Sequence, residues 1–71
     1  MREENKQAIC DALLPVLQMT RDLFDLESLE YQEDDNREIV VATYSNGYKK
    51  EINVHMDSGC AMIRDIIRWA V

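Results

Sequence analysis

Residues 37–56 read REIVVATYSNGYKKEINVHM, and the fold turns on how this stretch doubles back on itself. Two runs rich in β-branched and aromatic residues flank Asn46-Gly47. That dipeptide is a strong short-range hairpin signal, because both central positions of a tight turn require positive φ. A two-residue turn there is expected to set Ser45 opposite Tyr48, Thr43 opposite Lys50, Val41 opposite Ile52 and Ile39 opposite Val54. One side of the hairpin then carries Ile39, Val41, Ile52, Val54 and Met56. The other carries Glu38, Val40, Ala42, Tyr44, Lys49, Glu51, Asn53 and His55. Turn chemistry and apolar pattern agree on this register, so the first set is expected to face the core.

The preceding stretch, EYQEDDNRE at 30–38, extends the sheet upstream. A three-residue loop of Asp34, Asp35 and Asn36, with Asn36 left-handed, pairs Tyr31 with Ile39 and Leu29 with Val41, all inward, and sets Glu33 against Arg37. A two-residue loop would turn Glu30 and Gln32 inward instead, so the longer loop is expected. Residues 27–56 thus read as a three-stranded antiparallel meander.

Helical periodicity flanks the meander. Ile9, Ala12, Leu13, Val16 and Leu17 form one apolar stripe. Pro15 interrupts it and predicts a kink or restart, since it lacks the amide that would bond the Asp11 carbonyl. Beyond it, the stripe either continues through Leu23 and Phe24 or the chain unwinds after Met19. At 57–71, DSGCAMIRDIIRWAV offers Asp57 or Ser58 as N-cap and a stripe of Met62, Ile63, Ile66, Ile67 and Ala70, with Arg64, Asp65 and Arg68 opposite. The expected fold class is α+β: an αβββα chain, residues 1–71 in a single compact domain, with both helices packed on one face of the sheet.

A chain of 71 residues has a thin core, and its expected stability is roughly 3 to 5 kcal/mol unless a partner adds to it. A homodimer is therefore one expectation. The chain has no apolar run of membrane-spanning length, MREENKQAICDALLP lacks the apolar centre of a secretion signal, and Cys10 and Cys60 are too few for a disulfide scaffold. A cytoplasmic protein is expected, with one disulfide open but unforced.

Chemistry-bearing patterns are sparse. Cys60, near a helix start, is the best nucleophile candidate and His55 lies close in sequence, yet nothing orients the imidazole. His55, Asp57 and Cys60 do not complete a metal-ligand set. Gly47 and Gly59 are the only glycines, so no phosphate loop exists, although the amides of Asp57-Ser58-Gly59 suit an anion. A pI near 4.5 with only Lys49-Lys50 as a basic pair argues against direct nucleic-acid binding. No enzyme activity, cofactor, metal or membrane contact is expected.

Charge is the distinctive feature. Asp22, Asp25, Glu27, Glu30, Glu33, Asp34, Asp35 and Glu38 stand against Arg37 alone, so the net charge of −6 resides in this one segment. On the meander, Glu30, Glu33, Asp34 and Asp35 gather at the β1–β2 corner beside an outward line of Val40, Ala42 and Tyr44. Those acids with Val40 and Tyr44 are the expected partner-binding residues, and a protein partner or a second copy is the expected occupant. Trp69 is a further anchor if it stands exposed. The plainer alternative is that the acids keep a small protein soluble and guard a sheet edge. In size, acidity and αβββα order the chain resembles some small phage-encoded inhibitors of CRISPR nucleases. That resemblance is one of architecture, and it implies an alternative function: blocking a nucleic-acid-binding protein by acidic mimicry of phosphates.

Overall fold

The structure, a computed structural model, describes residues 4–71; the expected single domain of 1–71 also includes residues 1–3, which lie outside the described residues. The elements are α1 (Lys6–Gln18), β1 (Leu26–Glu33), β2 (Glu38–Tyr44), β3 (Lys49–Asn53) and α2 (Gly59–Ala70). The strands form one antiparallel sheet in the order β1-β2-β3, and the αβββα architecture is as the periodicity predicts.

Asn5 caps α1 by accepting from the amide of Ala8 at 2.9 Å. The helix runs through Pro15 as one element and ends at Gln18, so the chain unwinds after Met19. Leu23 then turns inward while Phe24 stands 74% exposed. Two α1 side chains satisfy backbone groups of β1, an edge strand. The Gln7 amide accepts from Tyr31 N at 2.8 Å and donates to Leu29 O at 3.3 Å, and Gln18 donates to Leu26 O at 2.8 Å. A helix laid along an edge in this way removes a site for unwanted strand pairing.

Both hairpin registers differ by one residue from the sequence expectation. Val40 lies opposite Ile52 and Ala42 opposite Lys50, while Tyr31 lies opposite Val40 and Leu29 opposite Ala42. At the second turn, Tyr44 N donates to Tyr48 O at 2.9 Å and closes a loop of Ser45, Asn46 and Gly47. Of these three residues only Gly47 has positive φ, at 87°. Asn46 does not have the positive φ that a two-residue turn needs, so the loop is a three-residue one with glycine in its left-handed position. At the first turn, Asp34 N donates to Arg37 O at 3.0 Å, leaving Asp35 and Asn36 as a two-residue loop. Asn36 is not left-handed.

Each slip reverses the parity of β2 against a neighbour, so the central strand is turned over while β1 and β3 keep their expected faces. Val40, Ala42 and Tyr44 point to the helices and are 0%, 0% and 8% exposed. The expectation that Val40 and Tyr44 form a partner-binding line on the outer face is therefore corrected: both belong to the core. Ile39 and Val41, expected inward, share the uncovered face with Glu30, Gln32, Glu51 and Asn53. Met56, also expected inward, is 84% exposed with a φ of 62°.

The core joins Cys10 and Leu17 of α1 and Met62, Ile66 and Ala70 of α2 to Leu26, Leu29, Val40, Ala42, Tyr44, Ile52 and Val54. Tyr44 is accommodated there because its hydroxyl donates to the Ala70 carbonyl at the end of α2, which spares a buried polar group from going unpaired. Ser58 is the N-cap of α2, accepting from Ala61 N at 3.2 Å. No helix among the described residues is long and apolar enough to cross a membrane.

Candidate functional site

The uncovered face of the sheet is built on three cross-strand rows. Ser28, Thr43 and Lys49 form one, Glu30, Val41 and Glu51 the next, and Gln32, Ile39 and Asn53 the third. Ile39 is the apolar floor of a cleft of about 190 Å3 whose walls come from Gln32, Glu33, Asp34, Arg37 and Glu51. Although no helix covers it, Ile39 is only 8% exposed, sheltered by the groups that line this cleft. Arg37 reaches Glu51 at 3.7 Å, an exposed pair of little energetic weight. Gln32 donates to Glu30 at 2.6 Å along the edge strand.

The expected acidic corner is present but does not converge. Glu30 lies on the uncovered face. Glu33 shares its row with Glu38, on the helix-facing side, and takes a 3.3 Å hydrogen bond from the Tyr31 hydroxyl. Asp34 shapes the turn: its Oδ1 accepts from the amides of Asn36 and Arg37, both at 3.0 Å. Those two backbone bonds hold its carboxyl below the ordinary aspartate value. Asp35 is exposed to water at the tip.

Turning the central strand over also moves Glu38 inward, and it becomes the hub of a polar junction. Its carboxylate accepts from Lys6 Nζ at 2.6 Å, from the Tyr31 hydroxyl at 2.5 Å and from Met56 N at 2.8 Å. These donors, Lys6 first, hold the Glu38 carboxyl down to about 2. Tyr31 is pushed in the opposite direction by burial and by the two carboxylates that it serves. Nearby, Glu4 accepts from Gly59 N at 2.8 Å. The group that the start of α2 holds is thus one of the chain's own carboxylates. A Cβ at Gly59 would fall 2.4 Å from the Glu4 carboxylate and 3.0 Å from Ile9 Cδ1, so a side chain there would push aside the ends of these two side chains.

A third surface lies between the helices. Ile9, Ala12, Leu13 and Val16 of α1 and Ile63 of α2 line an open groove of about 330 Å3. Val16 is 56% exposed, and Ile67, one turn beyond Ile63, is 48% exposed. The sequence held the signal for this groove. Positions 8–10, 12–14, 16 and 17 are all apolar, a band too wide for a helix with one face to bury.

The remaining candidates are scattered. His55 and Cys60 are both exposed, and no hydrogen bond joins them among the described residues. Cys10 is a free, buried thiol pushed up to about 11 by burial and by Asp11. Among the described residues no three His, Cys, Asp or Glu side chains are grouped to hold a metal ion. Trp69 is 55% exposed with Arg68 stacked 5.4 Å from its ring centre. Comparison with protein-family models, with curated proteins and with solved structures finds no match.

Proposed function

We propose that this chain is a non-enzymatic binding protein that receives a basic surface of a protein partner on the uncovered face of its sheet. The observation that carries the proposal is the seat of Ile39: an apolar floor on a face no helix covers, lined by Gln32, Glu33, Asp34, Arg37 and Glu51, with Glu30 on the neighbouring row of the same face. An apolar centre with a charged rim is the usual anatomy of a protein contact, and an acidic rim selects for a basic partner and speeds encounter with it. Arg37, which bridges to Glu51 over the cleft, marks where a partner's guanidinium fits. The two free cysteines support a reducing compartment such as the cytoplasm. The grooves of nucleic-acid-binding proteins are one class of basic surface that would fit the same face.

The test is an NMR titration of the chain with an arginine-rich peptide. Shifts confined to residues 28–33, 37–43 and 49–53, and abolished by Glu30→Gln with Glu51→Gln, are the expected result. Shifts spread equally over the helices, or unaffected by that double substitution, overturn the proposal.

A further inference from the structure

We infer that the apolar groove between α1 and α2 is the seat of a second copy of this chain, and that two copies stack helix layer on helix layer with their sheets outward. The helices run in the same direction, since Glu4 meets Gly59 at one end, while at the other Gln18 meets Leu26, whose strand partner Tyr44 meets Ala70. Their outer side is poor in charge for so acidic a chain. Lys6 is turned toward Glu38 and Asp65 toward Asp57, which leaves Asp11, Arg64 and Arg68 as the exposed charges of the two helices.

These three are self-complementary. A two-fold rotation about the line of the groove lays α1 over the α2 of the other copy in the same direction. Gly59 lies beside Ile9, and Ile63, one turn on, shares the groove with Ile9, Ala12, Leu13 and Val16, so positions 11 and 64 stand within about a turn of each other in height. Asp11, which flanks α1 on the β1 side beside Gln7, is then the acid nearest the arginines of the other copy, and the apolar residues of the groove close on themselves. The same operation keeps the acidic strands and first turn of the two copies on opposite outer faces. Repulsion between two chains of charge −6 is thereby held to a minimum.

The size sets the strength expected of the pair. Helices of 13 and 12 residues are roughly 20 Å long and side by side about 20 Å wide, a flat footprint of about 400 Å2, which is the scale of a small, concentration-dependent contact rather than of the ~800 Å2 each partner buries in a standard interface. Such a pair would present two acidic sheet faces, one at each end.

Sedimentation equilibrium of the full chain at about 100 μM, far above a micromolar Kd, tests this directly. The expected mass is twice 8.3 kDa. Val16→Glu, at an exposed position, is expected to return the mass to that of one chain with an unchanged circular dichroism spectrum. Asp11→Arg is expected to weaken the pair, and adding Arg64→Glu and Arg68→Glu to the same chain to restore it. A wild-type chain of single mass at that concentration overturns the inference, as does a pair indifferent to Val16→Glu. In the first case the groove belongs to a different occupant, and in the second the copies meet elsewhere. Peptide binding at the sheet face is read separately and is expected to survive Val16→Glu.

Discussion

The ammonium of Lys6 lies 2.6 Å from Oε1 of Glu38, joining the first turn of α1 to the first residue of β2 across 32 positions of chain. Both side chains are largely shielded, at 15% and 14% exposure, and the same carboxylate also orders Tyr31 and the backbone of Met56. It thereby offsets a poor local choice, for Glu38 stands directly opposite Glu33 in the ladder.

Glu38→Gln is expected to cost about 2 kcal/mol at neutral pH, between an exposed pair and a fully buried one. The folded carboxyl sits near 2 against an ordinary 4.5. Its contribution is therefore present above pH 4.5 and is lost as pH falls through about 2. Urea unfolding between pH 2 and 7 is expected to show a shallower acid limb in the variant than in the wild type.

Asp57 behaves in the opposite way. It shares a hydrogen bond with Asp65, burial adds to the effect, and one of its oxygens is buried without a partner. Its carboxyl is raised above the ordinary 3.8 although Arg64 and Lys6 pull it down. A raised group favours the fold below its unfolded value, and that contribution fades as pH rises through the folded value. Asp57→Asn, which keeps the hydrogen bond without the charge, is expected to be more stable than wild type at pH 7 and to lose that advantage near pH 3. Denaturant midpoints at the two pH values check the sign.

Val40→Ala and Val41→Ala should differ sharply although the residues are neighbours. Val40 is fully buried beneath the helices, and its truncation is expected to cost about 2 kcal/mol. Val41 lies half-buried on the uncovered face, so about 0.5 kcal/mol is expected there. Equal costs, or the reverse order, would contradict the orientation of β2.

Cys10 and Cys60 are separated by accessibility. Cys60 is exposed, whereas Cys10 is sealed in the core with its thiol held at about 11. Alkylation at pH 8 is expected to modify Cys60 alone in the folded protein and both residues in denaturant, as read by mass spectrometry.

The element order was legible because each segment declares its own period. The helical stripes around Ile9–Leu17 and Met62–Ala70, the strand-forming runs and the turn residues all act through local sterics and capping. The inward choice of Leu29, Ile52 and Val54 was legible too, because on the outer strands polar neighbours alternate with them. The groove between the helices is not legible in a single stripe of Ile9, Ala12, Leu13, Val16 and Leu17: Cys10, outside that stripe, is buried with Leu17, while Ile9, Ala12, Leu13 and Val16 line the groove.

What tertiary structure alone decided is the orientation of the central strand. Ile39-Val40-Val41-Ala42 is apolar on both sides, so its alternation carries no direction. Asn-Gly suits both a two-residue turn and a three-residue loop, and Asp-Asp-Asn is equally permissive. The choice was made by contacts far along the chain. Ala42 is small enough to lie beneath the helices, Tyr44 finds the Ala70 carbonyl, and Glu38, unfavourable by any local rule, is satisfied by Lys6, Tyr31 and Met56. Local sterics fix which segments become helix or strand, but the face a doubly apolar strand presents is settled only where packing and polar satisfaction are totalled over the whole fold.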